Sequence, residues 1–345
     1  MFDVLDHCQV NELHVRDDAD SGLKAIIAIH NTQLGPALGG CRFIQYDSAD
    51  TALEDAARLA RGMSYKAALA GVPQGGGKAV IMKPAGHFDP VALFSEFGRF
   101  VQSLQGRYIT AIDSGTSATE MDIIAKHTSY VTSTSTAGNP SPYTARGVFE
   151  GIRAAVKHKL GSNDLNGVRV ALQGVGNVGF VLGKLLDRAG AEVFVSDVNR
   201  VAIDEAMKSF ASGVIAPDKI ASADCDVFAP CGLSKPINDD NIDHLRCRIV
   251  AGSANVQLAH HELGQTLHER GILYAPDYVI NAGGLIYASL NYHGHDAGEI
   301  HDKVQGIYQT LDQIFGESEQ DNMPPSEIAD RLAQQRLQKP LEHAA

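Results

Sequence analysis

The segment 168–197 limits the possible folds of this chain more than any other stretch. It holds an apolar run typical of a buried strand (168–173), the hexapeptide Gly-Val-Gly-Asn-Val-Gly (174–179), a helical pattern, and a second strand that ends at Asp197. The acid follows the glycines by about 20 residues, as in βαβ units that bind dinucleotides. In such units the glycines permit a tight turn, close approach of the pyrophosphate and close helix packing. The sequence therefore predicts a Rossmann domain with cofactor-binding residues Gly174, Gly176, Asn177, Val178 and Gly179.

Asp197 indicates which dinucleotide is bound. A carboxylate at the end of the second strand can accept hydrogen bonds from both ribose hydroxyls, and it repels the 2′-phosphate of NADP. NAD is therefore the expected cofactor. Arg200 lies close by and could accommodate a phosphate, so binding of NADP stays open.

Three further strand-like runs follow, at 226–230, 248–253 and 278–280. Each ends in small or polar residues, and in a doubly wound sheet the carboxyl ends of the strands line the ligand crevice. Asn255 and Asn281 are therefore expected beside the nicotinamide half of the cofactor, although either could simply terminate its strand. The candidate cofactor-binding residues after these runs are Cys231, Ala254 and Asn255.

The segment 61–80 contains two lysines, Lys66 and Lys78, separated by an apolar turn and three glycines at 75–77. The glycines leave Lys78 without neighbouring side-chain bulk, so a small molecule could approach it closely and burial would lower its pKa. The alternative is a solvated lysine beside a flexible turn, with Lys66 stabilised by the dipole at a helix C-terminus. The segment is not a phosphate-binding P-loop, because Ala79 stands where serine or threonine would hold magnesium.

Two further sites of interest lie at predicted strands in the first half. Residues 10–45 predict two or three strands, and the paired Gly39 and Gly40 could expose backbone N–H groups that bind an anion. An ordinary β-bulge is the alternative for these glycines. Asp113 ends a predicted strand that starts at Tyr108, where a carboxylate can be catalytic or can cap a helix or turn.

The chain of 345 residues is long enough for two domains, and turn-forming residues around 137–142 mark a boundary or hinge. We expect an α/β protein of two domains separated by a cleft: an N-terminal α/β substrate and oligomerisation domain (1–137) and a Rossmann dinucleotide-binding domain (138–316). One long helix is expected at 298–315. After a polar linker, a last helix within about 317–345 is expected to pack back on the first domain or on a neighbouring subunit.

Charge and cysteine content argue against several classes of function. The net charge of −12 argues against a nucleic-acid or anionic-membrane partner. We expect no signal peptide and no membrane span, because the N-terminus lacks a basic region before an apolar run and no stretch reaches about 18 apolar residues. The five cysteines form no CxxC pair, and the histidines lack spaced partners. We therefore expect reduced thiols, no metal site and a cytoplasmic protein.

Six segments, spread over nearly the whole chain, carry a family resemblance: SGLKAIIAIHNTQLGPALGGCRF, GMSYKAALAGVPQGGGKAV, YITAIDSGT, GVGNVG, GSANVQL and YAPDYVINAGGLI. Through them the chain resembles the glutamate/leucine/phenylalanine/valine dehydrogenases. The resemblance is closest to the branched-chain and aromatic members of that family.

The resemblance implies roles for the candidates in the first domain. Lys66 would bind the α-carboxylate of the substrate, with help from the backbone at Gly39 and Gly40. Lys78 would activate the water that attacks an imine carbon, and Asp113 would move the proton to and from the amino group. A second ammonium and burial would lower the pKa of Lys78 toward neutrality, where it can take a proton from water.

For the second domain, the resemblance implies that Thr144 and Asn255 hold the nicotinamide side of the cofactor and that Asn281 orients the substrate amine. Closure of the domains would exclude water and bring nicotinamide C4 to the substrate Cα. The implied reaction is reversible oxidative deamination, in which an L-amino acid, NAD and water give a 2-oxo acid, ammonium and NADH. Family members are oligomers, so a homo-oligomer is expected.

The position before the paired glycines indicates the substrate class. Glutamate-specific relatives place a lysine there, where this chain has Leu38. A substrate carboxylate would be desolvated and unpaired beside leucine, so an apolar side chain is expected. Ala111 resembles the leucine-type enzymes and Leu285 the phenylalanine-type, which leaves branched-chain and aromatic substrates open. Ala288 completes the expected pocket.

Two other functions remain as alternatives. A glutamate dehydrogenase is opposed by Leu38. A catalytically silent NAD-binding regulatory protein is opposed by the joint presence of Lys66, Lys78 and Asp113, because a binding module needs none of them.

Overall fold

A computed structural model describes residues 2–232 and 235–338 of the chain. These residues fold into two compact units. Unit 1 contains the chain up to Gly138, Ala288–His295 and the described residues from Ala333 onward, whereas unit 2 contains Asn139–Tyr287 and Asp296–Leu332.

Five strands form the sheet of unit 1: β1 (Glu12–Asp18), β2 (Leu23–Asn31), β3 (Ala37–Ile44), β4 (Gly75–Met82) and β5 (Tyr108–Ile112). Their order is β1-β2-β4-β3-β5. β2 is antiparallel to β1 and β4, while β3 is parallel to both of its neighbours, β4 and β5. The strands expected within 10–45 are confirmed. Strand β3 lies between β4, which contains Lys78, and β5, which Asp113 follows.

Helices cover both faces of this sheet: α1 (Phe2–Cys8), α2 (Ala49–Ala70), α3 (Pro90–Ser103) and α4 (Ala118–Ala125). On one face, Ala52, Ala56 and Ala60 of α2 form a buried cluster with Ala28 and Val80. Helix α3 packs on the opposite face, against the alternate residues of the same strands. Alanines at a spacing of one helical turn let α2 lie close to the sheet.

The triple glycine at 75–77 belongs to β4, so the flexible-turn alternative is wrong. A Cβ atom at Gly76 would lie 2.0 Å from the backbone nitrogen of Ser64 on α2 and 2.3 Å from its Oγ. Glycine at this position therefore permits α2 to contact β4. The Ser64 hydroxyl also pairs with Nδ1 of buried His30 at 2.8 Å, which links α2 to β2 as well.

Six strands form the sheet of unit 2: β6 (Arg169–Gln173), β7 (Glu192–Ser196), β8 (Gly213–Val214), β9 (Val227–Pro230), β10 (Ile249–Val250) and β11 (Leu273–Tyr274). Their order is β11-β10-β9-β6-β7-β8, and each neighbouring pair is parallel. The chain runs from β6 outward to β8 and then crosses to the other side of β6. This places the switch point of a doubly wound sheet between β6 and β9 and confirms the predicted Rossmann fold.

The helices that follow Gly138 in the chain are α5 (Ser141–Leu160), α6 (Asn177–Arg188), α7 (Arg200–Ser209), α8 (Leu263–Glu269), α9 (Asp277–Ile280), α10 (Gly283–Tyr292), α11 (Ala297–Gln305), α12 (Ile307–Asp321) and α13 (Pro325–Gln338). Helix α6 follows the glycine turn directly, as the βαβ pattern predicts.

Two predicted elements are wrong. The run 278–280 lies in helix α9 rather than in a strand, because Pro276 precedes a helical turn that opens with Asp277, and these start signals outweigh the β-branched residues. The long helix expected from 298 is two helices that meet at Gly306. Helix α12 then continues through the expected polar linker to Asp321, since glutamate and glutamine are good helix formers.

Within residues 2–232 and 235–338, no helix is long and apolar enough to cross a membrane. In the same part of the chain, no group of three or more histidine, cysteine, aspartate or glutamate side chains is placed to hold a metal ion. The five cysteines are free thiols.

Candidate active site

Buried Lys78 and half-buried Asp113 form an ion pair in unit 1. Lys78 lies on β4, Asp113 follows β5, and β3 lies between these strands. The Lys78 Nζ donates a hydrogen bond to Asp113 Oδ2, and only 4% of Lys78 is exposed. A Cβ atom at Gly40 of β3 would lie 2.8 Å from the Asp113 Cβ and 2.9 Å from Oδ2. Glycine at position 40 is therefore required for the aspartate to lie over β3.

The surroundings of Lys78 lower its pKa to about 7. Burial is the largest cause, and the positive charges of Arg42 and Lys66 act in the same direction. The carboxylate of Asp55 and the Cys41 thiol act against them. An amine with a pKa near neutrality can both take and give a proton at physiological pH, which general acid–base catalysis requires.

The carboxylate of Asp113 is held at both oxygens. Its Oδ1 accepts from the backbone N–H of Ser114 and from Nε of Arg42 at 3.4 Å, while Oδ2 accepts from Lys78. Helix α4 is capped by Ser117. The helix-cap alternative for Asp113 is therefore wrong.

Gly39 and Gly40 are regular residues of β3. The β3–β5 ladder runs through both of them without a shift, so the β-bulge alternative is wrong. A Cβ atom at Gly39 would lie 1.7 Å from the carbonyl oxygen of Gly77 on β4. Leu38 beside them is 1% exposed, and Ala111, which pairs with Gly40, is half-buried.

The remaining unit 1 candidates, Lys66 and Ala288, lie on helices. Lys66 is half-buried on α2 and close enough to Lys78 for its charge to lower the pKa of that lysine. No basic residue lies in the last turn of α2, so the helix dipole does not account for Lys66. Ala288 is half-buried on α10, and its carbonyl accepts from Thr132 Oγ1 at 3.4 Å.

The glycine turn of unit 2 is shaped as a phosphate site requires. Gly174 has a φ of 93°, and a Cβ atom there would lie 2.7 Å from the nitrogen of Gly232. A Cβ atom at Gly179 would lie 2.0 Å from the carbonyl oxygen of Gly174. At Gly176 an added Cβ would meet nothing within 4 Å, and α6 begins just after it, with Asn177 and Val178, without a side-chain cap. An anion can therefore approach the first N–H groups of α6.

Asp197 lies beside this turn at the end of β7. Its Oδ2 accepts from the N–H of Val175 at 2.8 Å, and its Oδ1 accepts from the N–H of Asn199 at 2.8 Å. Arg200 is exposed and forms an ion pair with Asp204 at 3.3 Å. The carboxylate is thus fixed at the turn, whereas the arginine is engaged on the surface of α7.

Asn281 is joined to the loop that follows β10. Its Nδ2 donates to Oδ1 of exposed Asn255 at 2.9 Å and to the carbonyl of Ser253 at 3.2 Å. Its Oδ1 is buried and has no hydrogen-bond partner among the residues that the structure describes. Because an unsatisfied buried acceptor is costly, this oxygen is suited to an N–H donor of a ligand. Asn281 therefore contacts Asn255, and it follows a helix rather than the expected strand.

Cys231 and Ala254 follow β9 and β10. The Cys231 Sγ accepts from the N–H of Ser253 at 3.4 Å, and Ala254 donates its N–H to the Pro230 carbonyl at 2.9 Å. Burial raises the pKa of the Cys231 thiol, so it is not a nucleophile at neutral pH. These two residues shape the end of the sheet.

Thr144 and Leu285 lie at the starts of α5 and α10. The Thr144 hydroxyl donates to the Pro140 carbonyl at 3.4 Å. A Cβ atom at Gly284 would lie 2.9 Å from this hydroxyl, so glycine brings the start of α10 close to Thr144. Leu285 follows directly and is 8% exposed.

Arg42, Asp55 and Tyr46 were not predicted from the sequence as site residues. Arg42 on β3 contacts both Asp113 and Asp55, and the Tyr46 hydroxyl donates to Asp55 at 2.7 Å. The available signal was one arginine in an otherwise apolar strand, because a half-buried cation needs an anion near it. Asp55 gave no comparable signal, since acids are common on helix surfaces.

Two family models match the chain. The model described as Glu/Leu/Phe/Val dehydrogenase, dimerisation domain, covers residues 7–130, and the Glutamate/Leucine/Phenylalanine/Valine dehydrogenase model covers residues 199–340.

Individual relatives agree with the family models. The leucine dehydrogenase of Bacillus subtilis (strain 168) is 46% identical over 343 residues, which are 98% of this chain and 94% of that protein. The valine dehydrogenase of Streptomyces coelicolor is 44% identical over 93% of this chain and 90% of its own. The L-tryptophan dehydrogenase structure from Nostoc punctiforme superposes with a TM-score of 0.89 at 41% identity, covering 98% of both chains. The chain therefore belongs to the glutamate/leucine/phenylalanine/valine dehydrogenase family and is an amino-acid dehydrogenase.

Proposed function

We propose that this chain catalyses the reversible, NAD-dependent oxidative deamination of an apolar L-amino acid to its 2-oxo acid and ammonium. The observation that carries the proposal is the hydrogen-bonded pair of buried Lys78 and half-buried Asp113, in which the pKa of the lysine is lowered to about 7. A lysine on a protein surface would be protonated at neutral pH and could not act as a base.

The two members of the pair have separate tasks. When the substrate imine forms, neutral Lys78 takes a proton from the water that adds to the imine carbon. Asp113, which takes a proton from the substrate ammonium group as the imine forms, returns it to the amino group of the resulting carbinolamine. It then accepts the hydroxyl proton as the carbonyl forms and ammonia leaves. Overall, the ammonium form of the amino acid, NAD⁺ and water give the 2-oxo acid, ammonium, NADH and one proton.

Lys66 is proposed to bind the substrate α-carboxylate, together with the backbone at Gly39 and Gly40. Its half-buried position and its electrostatic effect on Lys78 support this role. A cation held there would fix the substrate and would also oppose protonation of Lys78. One positive charge thus serves both binding and catalysis.

Unit 2 is proposed to hold the cofactor, and its residues fit a dinucleotide. Gly176 leaves open space before the uncapped start of α6, where a pyrophosphate can be bound, and Asp197 stands where the ribose hydroxyls would lie. The bound cofactor supplies the hydride acceptor. Thr144 and Asn255 are proposed to hold its nicotinamide side. The free Oδ1 of Asn281 is proposed to accept a hydrogen bond from the substrate amine.

The preference for an apolar side chain rests on Leu38. It is 1% exposed and offers no charge to a substrate carboxylate, whose burial beside it would be costly. Ala111, Leu285 and Ala288 are proposed as the other pocket residues. Relatives named leucine, valine and tryptophan dehydrogenase support this class.

A panel of 2-oxo acids tests the function directly. We expect NADH oxidation with ammonium and 4-methyl-2-oxopentanoate, 3-methyl-2-oxobutanoate or an aromatic 2-oxo acid. Because Leu38 supplies no charge, we expect a kcat/KM at least about 100-fold lower for 2-oxoglutarate, since leaving a buried charge unpaired costs about 3 kcal/mol or more. Turnover of 2-oxoglutarate alone would identify a glutamate dehydrogenase. Binding of NADH without any turnover would identify a silent binding protein.

Cofactor choice is expected to depend on Asp197. We expect wild-type protein to prefer NAD over NADP in kcat/KM, and Asp197→Ser to lower this preference by about tenfold or more, because the repulsion of the 2′-phosphate is removed. Arg200→Ser is the matched variant on the neighbouring helix. If Arg200→Ser changes the preference and Asp197→Ser does not, the arginine rather than the acid selects the cofactor.

A further inference from the structure

We propose that Arg42 is a positioning residue for this reaction: it holds the carboxylate of Asp113 toward Lys78, and Asp55 and Tyr46 hold Arg42. The inference rests on the proposed function, since it concerns the same lysine. Its test compares active variants with wild-type enzyme, so it can fail while the proposed function holds.

Arg42 connects two carboxylates on different elements. From β3, its Nη1 donates to Asp55 Oδ2 on α2 at 2.7 Å, and its Nε lies 3.4 Å from Asp113 Oδ1. The side chains of Arg42, Asp55 and Asp113 are 22%, 16% and 15% exposed. A planar guanidinium held at one edge by Asp55 presents its other donors in a fixed direction. Rotation of the Asp113 carboxylate away from Lys78 would therefore break its contact with Arg42.

Asp55 is itself a fixed anchor. Besides Arg42, it accepts from the Tyr46 hydroxyl at 2.7 Å and from Arg58 Nη2 at 2.8 Å. Burial alone would raise the pKa of Asp55, but the hydrogen bonds from Tyr46 and the charge of Arg42 lower it. Burial and the neighbouring carboxylate raise the pKa of Tyr46, which therefore stays a donor. The anchor keeps its charge and its hydrogen bonds through the neutral pH range.

Arg42 and Asp55 act on the pKa of Lys78 in opposite directions. The charge of Arg42 lowers this pKa, whereas the carboxylate of Asp55 raises it. The ionisable groups that act on or contact Lys78 come from β3, from α2 and from the residue after β5: Cys41, Arg42, Asp55, Lys66 and Asp113. The effects of Arg42 and Asp55 on the pKa of Lys78 thus offset each other, so loss of either partner is expected to shift that pKa.

Because Arg42 and Asp55 act in opposite directions, their removal should shift the pKa of Lys78 in opposite directions. Loss of a purely structural contact would not produce such shifts. The measurement is kcat against pH for amino-acid oxidation, whose acid limb reports Lys78 in the substrate complex. Arg42→Gln is expected to move this limb to higher pH and Asp55→Asn to move it to lower pH. Each shift is expected to be about half a pH unit or more, within the range that one nearby charge produces.

Arg42→Lys separates charge from geometry. The lysine keeps a positive charge near Lys78, so the acid limb is expected to stay close to that of the wild type. It lacks the planar guanidinium whose separate donors reach both carboxylates. We therefore expect kcat to fall by about tenfold, because Asp113 loses its fixed orientation. Arg16→Gln is the matched control, since it removes a unit 1 arginine that pairs with Glu96 and contacts none of these groups. It is expected to change neither kcat nor the limb.

Opposite shifts for Arg42→Gln and Asp55→Asn, with an unmoved limb for Arg42→Lys, would support the proposal. Shifts in the same direction, or a lower kcat with the limb unmoved in both charge variants, would overturn it. If Arg42→Gln does not fold, Asp55→Asn decides alone: a shift to lower pH supports the proposal, and any other result refutes it.

Discussion

Replacement of Lys78 by alanine is expected to lower kcat by about 100-fold or more in both directions of the reaction, the usual scale for a lost general acid–base group. The lysine is 4% exposed, and burial with the nearby charges of Arg42 and Lys66 brings its pKa to about 7. It can therefore take a proton from water in one direction and return it in the other. Alanine offers no proton acceptor at this position.

The pH dependence of the wild type identifies the same group. When the pH is below the Lys78 pKa of about 7, the lysine is protonated and cannot act as a base. We therefore expect kcat for amino-acid oxidation to fall about tenfold for each unit by which the pH decreases. In Lys78→Ala this dependence should disappear from the residual rate. Stopped-flow measurement of NADH formation under saturating substrate gives both profiles.

Lys83→Ala is the matched control for this prediction. Lys83 follows β4 five residues after Lys78, but it is exposed and its Nζ lies 5.6 Å from the centre of the Phe43 ring. Its removal should leave kcat and its pH profile unchanged. Circular dichroism and NADH fluorescence establish that both variants fold and bind cofactor. A folded Lys78→Ala enzyme that keeps more than about a tenth of wild-type kcat would remove Lys78 from the proton transfer.

The Rossmann unit could be predicted from local pattern, whereas the Lys78–Asp113 pair could not. Strand, glycine turn, helix and terminal acid follow one another within 168–197, so each local preference supports the same fold. Lys78 and Asp113 are 35 positions apart, and they meet because β3 lies between β4 and β5. Strand order is set by tertiary packing, so only the family resemblance placed these residues in one site.

Asn281 and Arg42 show two other limits of sequence reasoning. The β-branched run before Asn281 predicts a strand, but Pro276 and Asp277 start a helix there. Asn281 nevertheless contacts Asn255, because the loop after β10 reaches it. The partners of Arg42 come from α2 and from the residue after β5, and no spacing in the sequence predicts that these three side chains meet.

Gly76→Ala is expected to destabilise the protein by about 3 kcal/mol or more, the upper range for overpacking. An alanine Cβ would lie 2.0 Å from the backbone nitrogen of Ser64 and 2.3 Å from its Oγ. The side chain of Ser64 could rotate, but its backbone nitrogen is fixed within α2. Strand β4 cannot move instead, because it is the central strand of the sheet, with β2 on one side and β3 on the other.

Gly62→Ala provides a matched control within α2 itself. A Cβ atom there would meet nothing within 4 Å, so alanine should stabilise the helix by about 0.5–1 kcal/mol relative to glycine. The midpoint of urea denaturation, followed by circular dichroism, should therefore shift in opposite directions for the two variants.

Equal stability of Gly76→Ala and wild type would mean that α2 can move away from β4. Because Lys66 lies on α2 and Lys78 on β4, such movement would displace one lysine from the other. A folded Gly76→Ala variant should therefore also show a raised KM for the amino acid.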